Sequence, residues 1–408
     1  MRVLIIGGGI GGLAAALLLH RAGIGCAVFE QSASIRELGV GINTLPHAIR
    51  ELAGLGLLPA LDAMGIRTRE LIYANRFGQT IWSELRGVDA GHEAPQFSIH
   101  RGKLLGVLHQ AVLERGIPVQ TGCRLTRLDE GPNGVRACFE GGREEVGDVL
   151  VGADGIHSAV RSRFYPDEGP PCWTGIMLWR GAVEWPVFAD GRTMLIAGGM
   201  RAKFVLYPIH ADQARPEMRL TNWAVAARVA SGAEPPPRRE DWNRPGALAE
   251  LLPFVRGHFA LERLGFIDPV ALIEATGMFY EYPMCDRDPL ERWSSRRVTL
   301  LGDAAHPMYP VGSNGASQAV LDGVALARCL AEGGGVEDAL RRYEAERRPA
   351  TAQVVQMNRK GGPEGVIDVI EGRAPEGFAD IECVASYGER EAIVRGYADT
   401  AGFAAGGR

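Results

Sequence analysis

Two glycine-rich turns hold the residues best suited to chemistry, Gly7-Gly8-Gly9-Ile10-Gly11-Gly12 near the start and Leu301-Gly302-Asp303-Ala304-Ala305-His306-Pro307 far downstream. The first follows the apolar run Arg2-Val3-Leu4-Ile5-Ile6 and precedes Leu13 to Leu19, so it reads as strand, turn and helix. In such a turn Gly7 allows the tight bend, Gly9 admits a pyrophosphate to the backbone, and Gly12 lets the helix pack on the strand. Ile10 and Gly11 open the helix, whose first N–H groups face phosphate. The next apolar run, Gly25 to Phe29, ends in Glu30, a carboxylate placed to accept from ribose hydroxyls and to repel a 2′-phosphate. The pattern fits a dinucleotide, with a flavin or a nicotinamide nucleotide equally possible at this point. A glycine loop with no ligand is the plainer alternative.

The second turn ends the apolar run Arg297 to Leu301, which places Asp303 where ligands of α/β sheets gather. Its carboxylate suits a polyol such as a ribityl chain. The loop from Met308 to Gln318 then opens onto a helix from Ala319 to Ala327, with Ser313 or Asn314 as its expected cap. A helix start offers N–H donors and a positive dipole end to the negative edge of a reduced flavin, and Gly312 and Gly315 allow close approach of a ring. A capped structural helix is again the simpler alternative. His306, before a proline at a strand exit, reads as a turn residue and not as a base. No metal-ligand cluster, Ser/His/Asp order or nucleophile elbow is visible. No side chain is therefore assigned as catalytic, and the chemistry belongs to a cofactor.

The elements that must position these residues follow from composition and periodicity. With 408 residues and 46% hydrophobic content the chain can bury a large core, as one big domain or two intermingled ones. A net charge of −5 without a Lys/Arg block argues against nucleic acid or anionic lipid as partner. Seven scattered cysteines predict reduced thiols and a cytoplasmic location. No apolar stretch reaches the roughly 18 residues of a spanning helix, so neither membrane anchor nor signal peptide is expected.

Leucines at helical spacing predict packing helix over 44–66, interrupted at Gly54 and Gly56. A further helix begins near Arg101, where a cation opposes the helix dipole and is either solvated or a phosphate ligand. A strand from Asp148 to Val151 runs into Gly152-Ala153-Asp154-Gly155, a glycine-framed carboxylate. Between 172 and 284 extended runs such as Ile176–Trp179, Thr193–Ile196, Lys203–Tyr207 and Leu220–Trp223 predict an antiparallel sheet. The proline-rich loop Glu234 to Arg239 and a helical piece over about 246–264 are expected to cover an apolar pocket. The fold class is thus α/β with α+β character: a Rossmann-like nucleotide domain, an inserted antiparallel-sheet domain and C-terminal helices. The expected division gives the nucleotide domain 1–70, 97–170 and 285–360, the inserted domain 71–96 and 171–284, and a helical or flexible tail 361–408.

Three segments, GGGIGG with Glu30, Gly152 to Arg161, and Gly302 to Ala319, resemble the group A flavoprotein monooxygenases, the FAD-dependent aromatic hydroxylases related to salicylate and para-hydroxybenzoate hydroxylases. The segments Gly39–Asn43, Ser98–Leu104, Trp179–Trp185, Tyr282–Pro289 and Glu344–Pro349 carry the likeness through most of the chain, toward the phenazine-biosynthesis branch, of methylphenazine carboxylate monooxygenase type. The tail after Asn358, Arg359 and Lys360 does not clearly follow that branch.

The resemblance implies a para-hydroxybenzoate hydroxylase type of fold and FAD held by Gly7, Gly9, Ile10, Gly11 and Gly12, with Glu30 on the adenosine ribose. It implies Arg101 on the phosphates, the Leu125 backbone at the adenine side and Asp303 on the ribityl chain or pyrophosphate. Gln31, Arg36, Val40 and Gly41 also fall at the cofactor, and Pro310, Gly312, Asn314, Gly315 and Ala316 at the isoalloxazine. Asp154 and Gly155 would serve both FAD and a transient NADH or NADPH. The implied chemistry is reduction of FAD by NAD(P)H, reaction with O2 to a flavin C4a-hydroperoxide, and transfer of one oxygen to an aromatic or N-heteroaromatic, phenazine-like substrate, with CO2 leaving in relatives whose substrate has an ortho carboxylate.

Such an intermediate needs a dry cavity. Val40, Trp179, Tyr207, Met308 and Pro310 are the candidate lining, with ordinary core as the alternative; Arg180 binds a carboxylate or a neighbouring acid. A related epoxidase or reductase, or a non-catalytic nucleotide-fold binding protein, are the competing functions. The expected partner is a small aromatic molecule, with no nucleic acid or membrane and a monomeric or homodimeric state.

Overall fold

The computed structural model describes residues 1–36, 39–237, 241–260 and 267–404. The run Val3 to Ile6 is fully buried because it is the central strand of a parallel sheet covered on both faces. Val298–Leu300, Val149–Gly152, Arg2–Ile6, Gly25–Phe29 and Val119–Gln120 lie side by side in that order, every pair parallel. The helix Ile10–Arg21 is buried almost all round, from Leu13 to Leu19, since the sheet lies on one side of it and other helices on the rest. One of those is Gly315–Ala331, which comes so close at Gly323 that a Cβ there would sit 2.9 Å from Leu18 Cδ1.

A second, seven-stranded sheet runs Phe279–Asp286, Cys172–Pro186, Met218–Arg228, Ala202–His210, Thr193–Gly198, Glu70–Asn75, Thr80–Leu85. The extended runs between 172 and 284 all lie in it. It departs from a purely antiparallel sheet at one pairing, Thr193–Gly198 with Glu70–Asn75, which is parallel. Side chains alternate between its faces. On one face, register pairs Arg180 with Ala224, and Ala182 with Asn222 beside Tyr207; on the other it pairs Trp179 with Val225. The second of these faces is covered by Leu248–His258 and Pro269–Glu274, whose Leu251, Val255 and Leu272 pack with Trp179, Phe204 and Trp223. The helix expected over about 246–264 is thus shorter among the described residues, and 261–264 of that expectation, like Arg238 and Arg239 of the proline-rich loop, lie outside them.

The first face receives the end of the chain. Helices Gly365–Arg373 and Tyr387–Ala401 bring Val366, Ile367, Ile370 and Val394 against Leu71, Tyr73, Met194 and Ile196. Two three-stranded antiparallel sheets complete the fold, Gly41–Thr44 with Gln96–His100 and Gly65–Thr68, and Leu125–Glu130 with Val135–Phe139 and Glu144–Gly147. The leucine-rich segment 44–66 is two helices, Pro46–Gly54 and Leu58–Met64, because Gly56 turns the chain with φ 80°.

Candidate active site

The first glycine turn is shaped by what its glycines touch. Gly7 has φ 112°, and a Cβ on it would lie 2.2 Å from the Ala153 carbonyl oxygen; one on Gly12 would lie 2.0 Å from that of Gly7. Strand, turn and helix can close together only with hydrogen at these positions. Gly9 is different: nothing lies within 4 Å of where its Cβ would be, so the backbone there faces open space. Glu30 braces the turn, accepting from the Gly8 N–H at 2.7 Å and the Ser32 N–H at 2.8 Å. Gln31 and Arg36 follow on the exposed rim, and Leu125, at the start of its strand, packs half-buried against the core.

Asp154, at the end of the neighbouring strand, uses both carboxylate oxygens inside the chain. It accepts from Ser158 Oγ at 2.5 Å, the Ala159 N–H at 2.7 Å and the Val160 N–H at 3.3 Å, and so anchors the helix Ala159–Phe164. Gly155, at φ 79°, turns the chain between them.

Arg101 and Asp303 are the opposite case. The Arg101 backbone N–H donates to the Val40 carbonyl at 2.8 Å, which fixes the start of the helix Arg101–Glu114. Its half-buried guanidinium has no hydrogen-bond or ion-pair partner among the described residues, and neither has the exposed Asp303 carboxylate. Burial lowers the Arg101 pKa and nearby Asp303 raises it, while the protein around Asp303 raises that carboxyl against the pull of His306 and Arg101. A cation and an acceptor near one another, each with unused bonding capacity, suit a pyrophosphate and a polyol. Together with the open approach at Gly9, they fit a dinucleotide.

Asp303 owes its position to a buried network. Asp322, fully buried in the helix Gly315–Ala331, accepts from the Gly302 N–H at 3.0 Å, from His306 Nε2 at 2.5 Å and from Arg347 Nε at 2.7 Å. Burial alone would raise the Asp322 carboxyl, but His306 and Arg347 hold it at about 2. His306 is thus spent on fastening the turn to the helix Gly315–Ala331 through Asp322.

The ring-side loop differs from expectation in one respect: neither Ser313 nor Asn314 caps a helix. The helix already begins at Gly315 with Asn314 in near-helical geometry, and the buried Asn314 carboxamide turns inward to accept from Gln318 Nε2 at 3.2 Å. The first amides of a helix of 17 residues are left uncapped beside Gly312 and Ser313, which adopt φ 68° and 55°. They remain available to a ligand.

Across the cleft, the inserted sheet grips one peptide of the nucleotide segment. Asn222 Oδ1 accepts from the Gly41 N–H at 2.8 Å, and Arg180 donates to the Gly41 carbonyl. A Cβ on Gly41 would lie 2.6 Å from Asn222 Cβ and 2.7 Å from Tyr207 Cε2. Arg180 also reaches the hydroxyls of Tyr207 and Tyr282, both at 3.4 Å, and its buried Nε has no partner. Burial works against its charge, but the two phenol oxygens hold its pKa above the usual value. The expectation of a neighbouring acid is not met, since no carboxylate pairs with Arg180 among the described residues.

Of the expected pocket residues, Val40 and Tyr207 are buried on this side, Met308 is half-buried near Gly315, and Pro310 is exposed. Trp179 is a correction. Strand alternation sends it to the face opposite Arg180, where its Nε1 donates to Glu281 at 3.2 Å and its ring stacks with Phe254.

Residues 1–169 and 284–358 match the family model for the FAD binding domain. The chain belongs to the family of FAD-dependent aromatic hydroxylases. The phenazine 1,6-dicarboxylic acid hydroxylase of Lysobacter antibioticus is 45% identical over 88% of this chain and 89% of that protein. The aurachin C monooxygenase/isomerase of Stigmatella aurantiaca is 35% identical, covering 85% of each. Among solved structures, Klebsiella pneumoniae HpxO complexed with FAD and uric acid superposes with a TM-score of 0.74 at 24% identity, covering 98% of this chain and 96% of that one, so the fold is shared. The hydroxylase is an FAD-dependent monooxygenase that uses NAD(P)H and O2. No described helix is long and apolar enough to cross a membrane, and no group of metal-ligating side chains occurs among the described residues.

Sequence reasoning missed Asp322, Arg347, Asn222 and Tyr282 in this hydroxylase. Asp322 had a signal: a lone acid in the apolar run Ala319 to Ala327 must find partners once buried. Asn222 and Tyr282 had none, because only the sheet register brings them to Gly41 and Arg180.

Proposed function

We propose that this hydroxylase acts on a planar N-heteroaromatic carboxylic acid of the phenazine class, held between the cofactor cleft and the sheet face of Arg180, Tyr207 and Tyr282. The observation that carries this reading is Arg180, a cation without a carboxylate partner among the described residues, set between two phenols and the Gly41 carbonyl. Beyond the bond that Arg180 makes to the Gly41 carbonyl, a substrate carboxylate is a stronger acceptor for it than the two distant hydroxyls. The substrate of the Lysobacter relative is a phenazine dicarboxylic acid by name.

Around that substrate, Gly7, Gly9, Ile10, Gly11, Gly12, Glu30, Gln31, Arg36 and Leu125 would hold the adenosine and pyrophosphate half of FAD, and Arg101 the phosphates. Asp303 would hold the ribityl hydroxyls. Val40, Gly41, Pro310, Gly312, Asn314, Gly315 and Ala316 would surround the ring. Asp154 and Gly155 support the cofactor through the helix they anchor. Bound FAD supplies electron transfer from NADH or NADPH and the activation of O2, for which no side chain of the protein is suited. The protein's share is to orient the substrate and exclude water, which the buried Val40 and Tyr207 and the half-buried Met308 serve. In this reading 1–70, 97–170 and 285–360 form the nucleotide domain and 71–96 with 171–284 the substrate domain. Seven free thiols are in keeping with a cytoplasmic enzyme.

The test is NADH and NADPH oxidation by the FAD-loaded protein with phenazine, quinoline, pyridine and salicylate carboxylates, with product masses recorded. The expected product gains one oxygen atom, or exchanges its carboxyl group for hydroxyl. Arg180→Met should raise KM for carboxylated substrates by about tenfold or more, the loss of a charge-assisted hydrogen bond. A best substrate without a carboxylate, turned over equally well by Arg180→Met, would overturn the assignment.

A further inference from the structure

The strand Phe279–Asp286 forms one edge of the seven-stranded sheet, and the segment Asp241 to Gly246 is fastened along it. The Asp241 carboxylate accepts from the Asn243 N–H at 3.0 Å and its carbonyl from the Arg244 N–H at 3.1 Å, which makes a turn with Trp242 inside it. After the turn the Glu281 N–H donates to the Arg244 carbonyl at 3.0 Å, Pro245 pairs with Tyr280, and the Gly246 N–H donates to the Phe279 carbonyl at 2.8 Å. Arg244 Nε donates to the buried Glu281 carboxylate at 3.1 Å, the group that also accepts from Trp179 on the face opposite Arg180. The sheet thus fixes where Trp242 stands.

Trp242 continues an aromatic stack that starts at the substrate side. Tyr282 packs with Leu178 and Ala224, and the indole of Trp242 lies on the Tyr282 ring, with centroids 5.2 Å apart and 15° between the planes. Tyr282 is left 7% exposed, whereas Trp242 is 48% exposed. The Tyr282 hydroxyl lies 3.4 Å from Arg180 Nη1. Around the two rings the sheet face is apolar, and its alanines leave it low: Val205, Ala226 and Tyr280 are only half-buried there, while the tail helices pack at the other end of the face on Leu71, Met194 and Ile196. A cation, a phenol and an open indole lie in series, with the phenol spanning the gap between the first and the last.

A lone exposed tryptophan needs no function. This one is set apart by the chain of contacts that joins it to Arg180. Resting on the reading that Arg180 takes the substrate carboxylate, we propose that Trp242 is a specificity-determining residue: a fused-ring acid anchored at Arg180 lays its outer ring against the open side of the indole, which a single-ring acid does not reach. Stacking on an indole adds to simple area burial only for a flat π-system, so the contact favours polycyclic aromatic acids over smaller or non-planar ones.

The test is the binding of pyridine, quinoline and phenazine carboxylates to the FAD-loaded full-length protein, followed by the change in flavin absorbance, for wild type, Trp242→Phe, Trp242→Ala and Arg180→Met. Trp242→Ala should weaken the phenazine acid by about threefold to tenfold, the range of one aromatic stack, and the pyridine acid by less than about twofold. Trp242→Phe, which keeps a ring, should recover most of the loss. Arg180→Met should weaken all three acids. A loss at Trp242→Ala that is equal for the three acids makes Trp242 a prop for Tyr282, and no loss for the phenazine acid makes it a surface residue; either result, beside a general loss at Arg180→Met, overturns this inference alone. Acids that bind equally well to wild type and Arg180→Met would overturn the carboxylate reading, and this inference with it.

Discussion

The two glycine loops that flank the cleft are built on different principles. The turn from Gly7 to Gly12 is closed by its own neighbours: the Ala153 carbonyl, the Gly7 carbonyl and the Glu30 carboxylate, all within the parallel sheet and its connections. The loop from Tyr309 to Gly312 has little of this local support. It is held by Asn358, near the end of the helix Val336–Arg359, and by Gly362 and Tyr397 of the C-terminal tail, while Asp322 and Arg347 hold the Gly302 turn before it.

The sharpest break in this comparison is at Gly7. An alanine there combines a left-handed φ of 112° with a Cβ 2.2 Å from the Ala153 oxygen. Gly7→Ala should cost about 3–5 kcal/mol of stability, from strain and overpacking together, and abolish FAD retention. Urea unfolding and the flavin content of purified protein measure the two losses. Next comes Asp322→Asn, which leaves Arg347 buried without its carboxylate and should cost about 3 kcal/mol.

The same residue predicts an acid limb. Asp322 titrates at about 2 in the fold against its ordinary 3.8, so the unfolded chain takes up the proton first as pH falls. The stabilisation is complete above about pH 4 and is lost as pH drops toward 2. Acid unfolding of wild type should lose that contribution in this window, whereas Asp322→Asn should lack it; equal acid slopes in the two proteins would mean that the carboxylate is not what His306 and Arg347 serve.

Asp303→Ala should be milder and purely local to the cleft. Asp303 is exposed and makes no internal hydrogen bond among the described residues, so stability should change by less than about 0.5 kcal/mol. FAD affinity should fall by about 1–3 kcal/mol because a polyol acceptor is removed. A wild-type dissociation constant in this variant would reassign the ribityl site.

The contrast between the loops also explains what could be read from sequence. The parallel sheet, the first turn and the separated segments of the nucleotide domain follow from apolar runs and glycine spacing, because local sterics decide them. The face of a strand residue does not. Trp179 and Arg180 are adjacent and both looked suited to the pocket, yet register with Ala224 and Val225 sends only Arg180 toward Gly41. The same holds for the tail: Tyr397 carries no motif, and its meaning comes from the fold that places it behind Gly312. The missing side-chain cap at Asn314 is different, since its carboxamide is taken up locally by Gln318, four residues on along the same helix.

The smallest effect on the fold should come from Gly9→Ala, and for that reason it separates steric closure from ligand approach. Gly9 lies two residues from Gly7, in the same turn, but its φ of −78° suits any residue and no atom lies within 4 Å of the added methyl. Stability should be unchanged or rise by up to about 0.5 kcal/mol, since alanine loses less backbone freedom on folding. If Gly9 is the point where the pyrophosphate meets the backbone, FAD affinity should still fall by tenfold or more, roughly the cost of displacing one well-made contact. Isothermal titration of the apoprotein beside urea unfolding gives both numbers. Retained affinity would place the diphosphate elsewhere along the helix start, and joint loss of stability and affinity would make Gly9 part of the closed framework that Gly7 and Gly12 form.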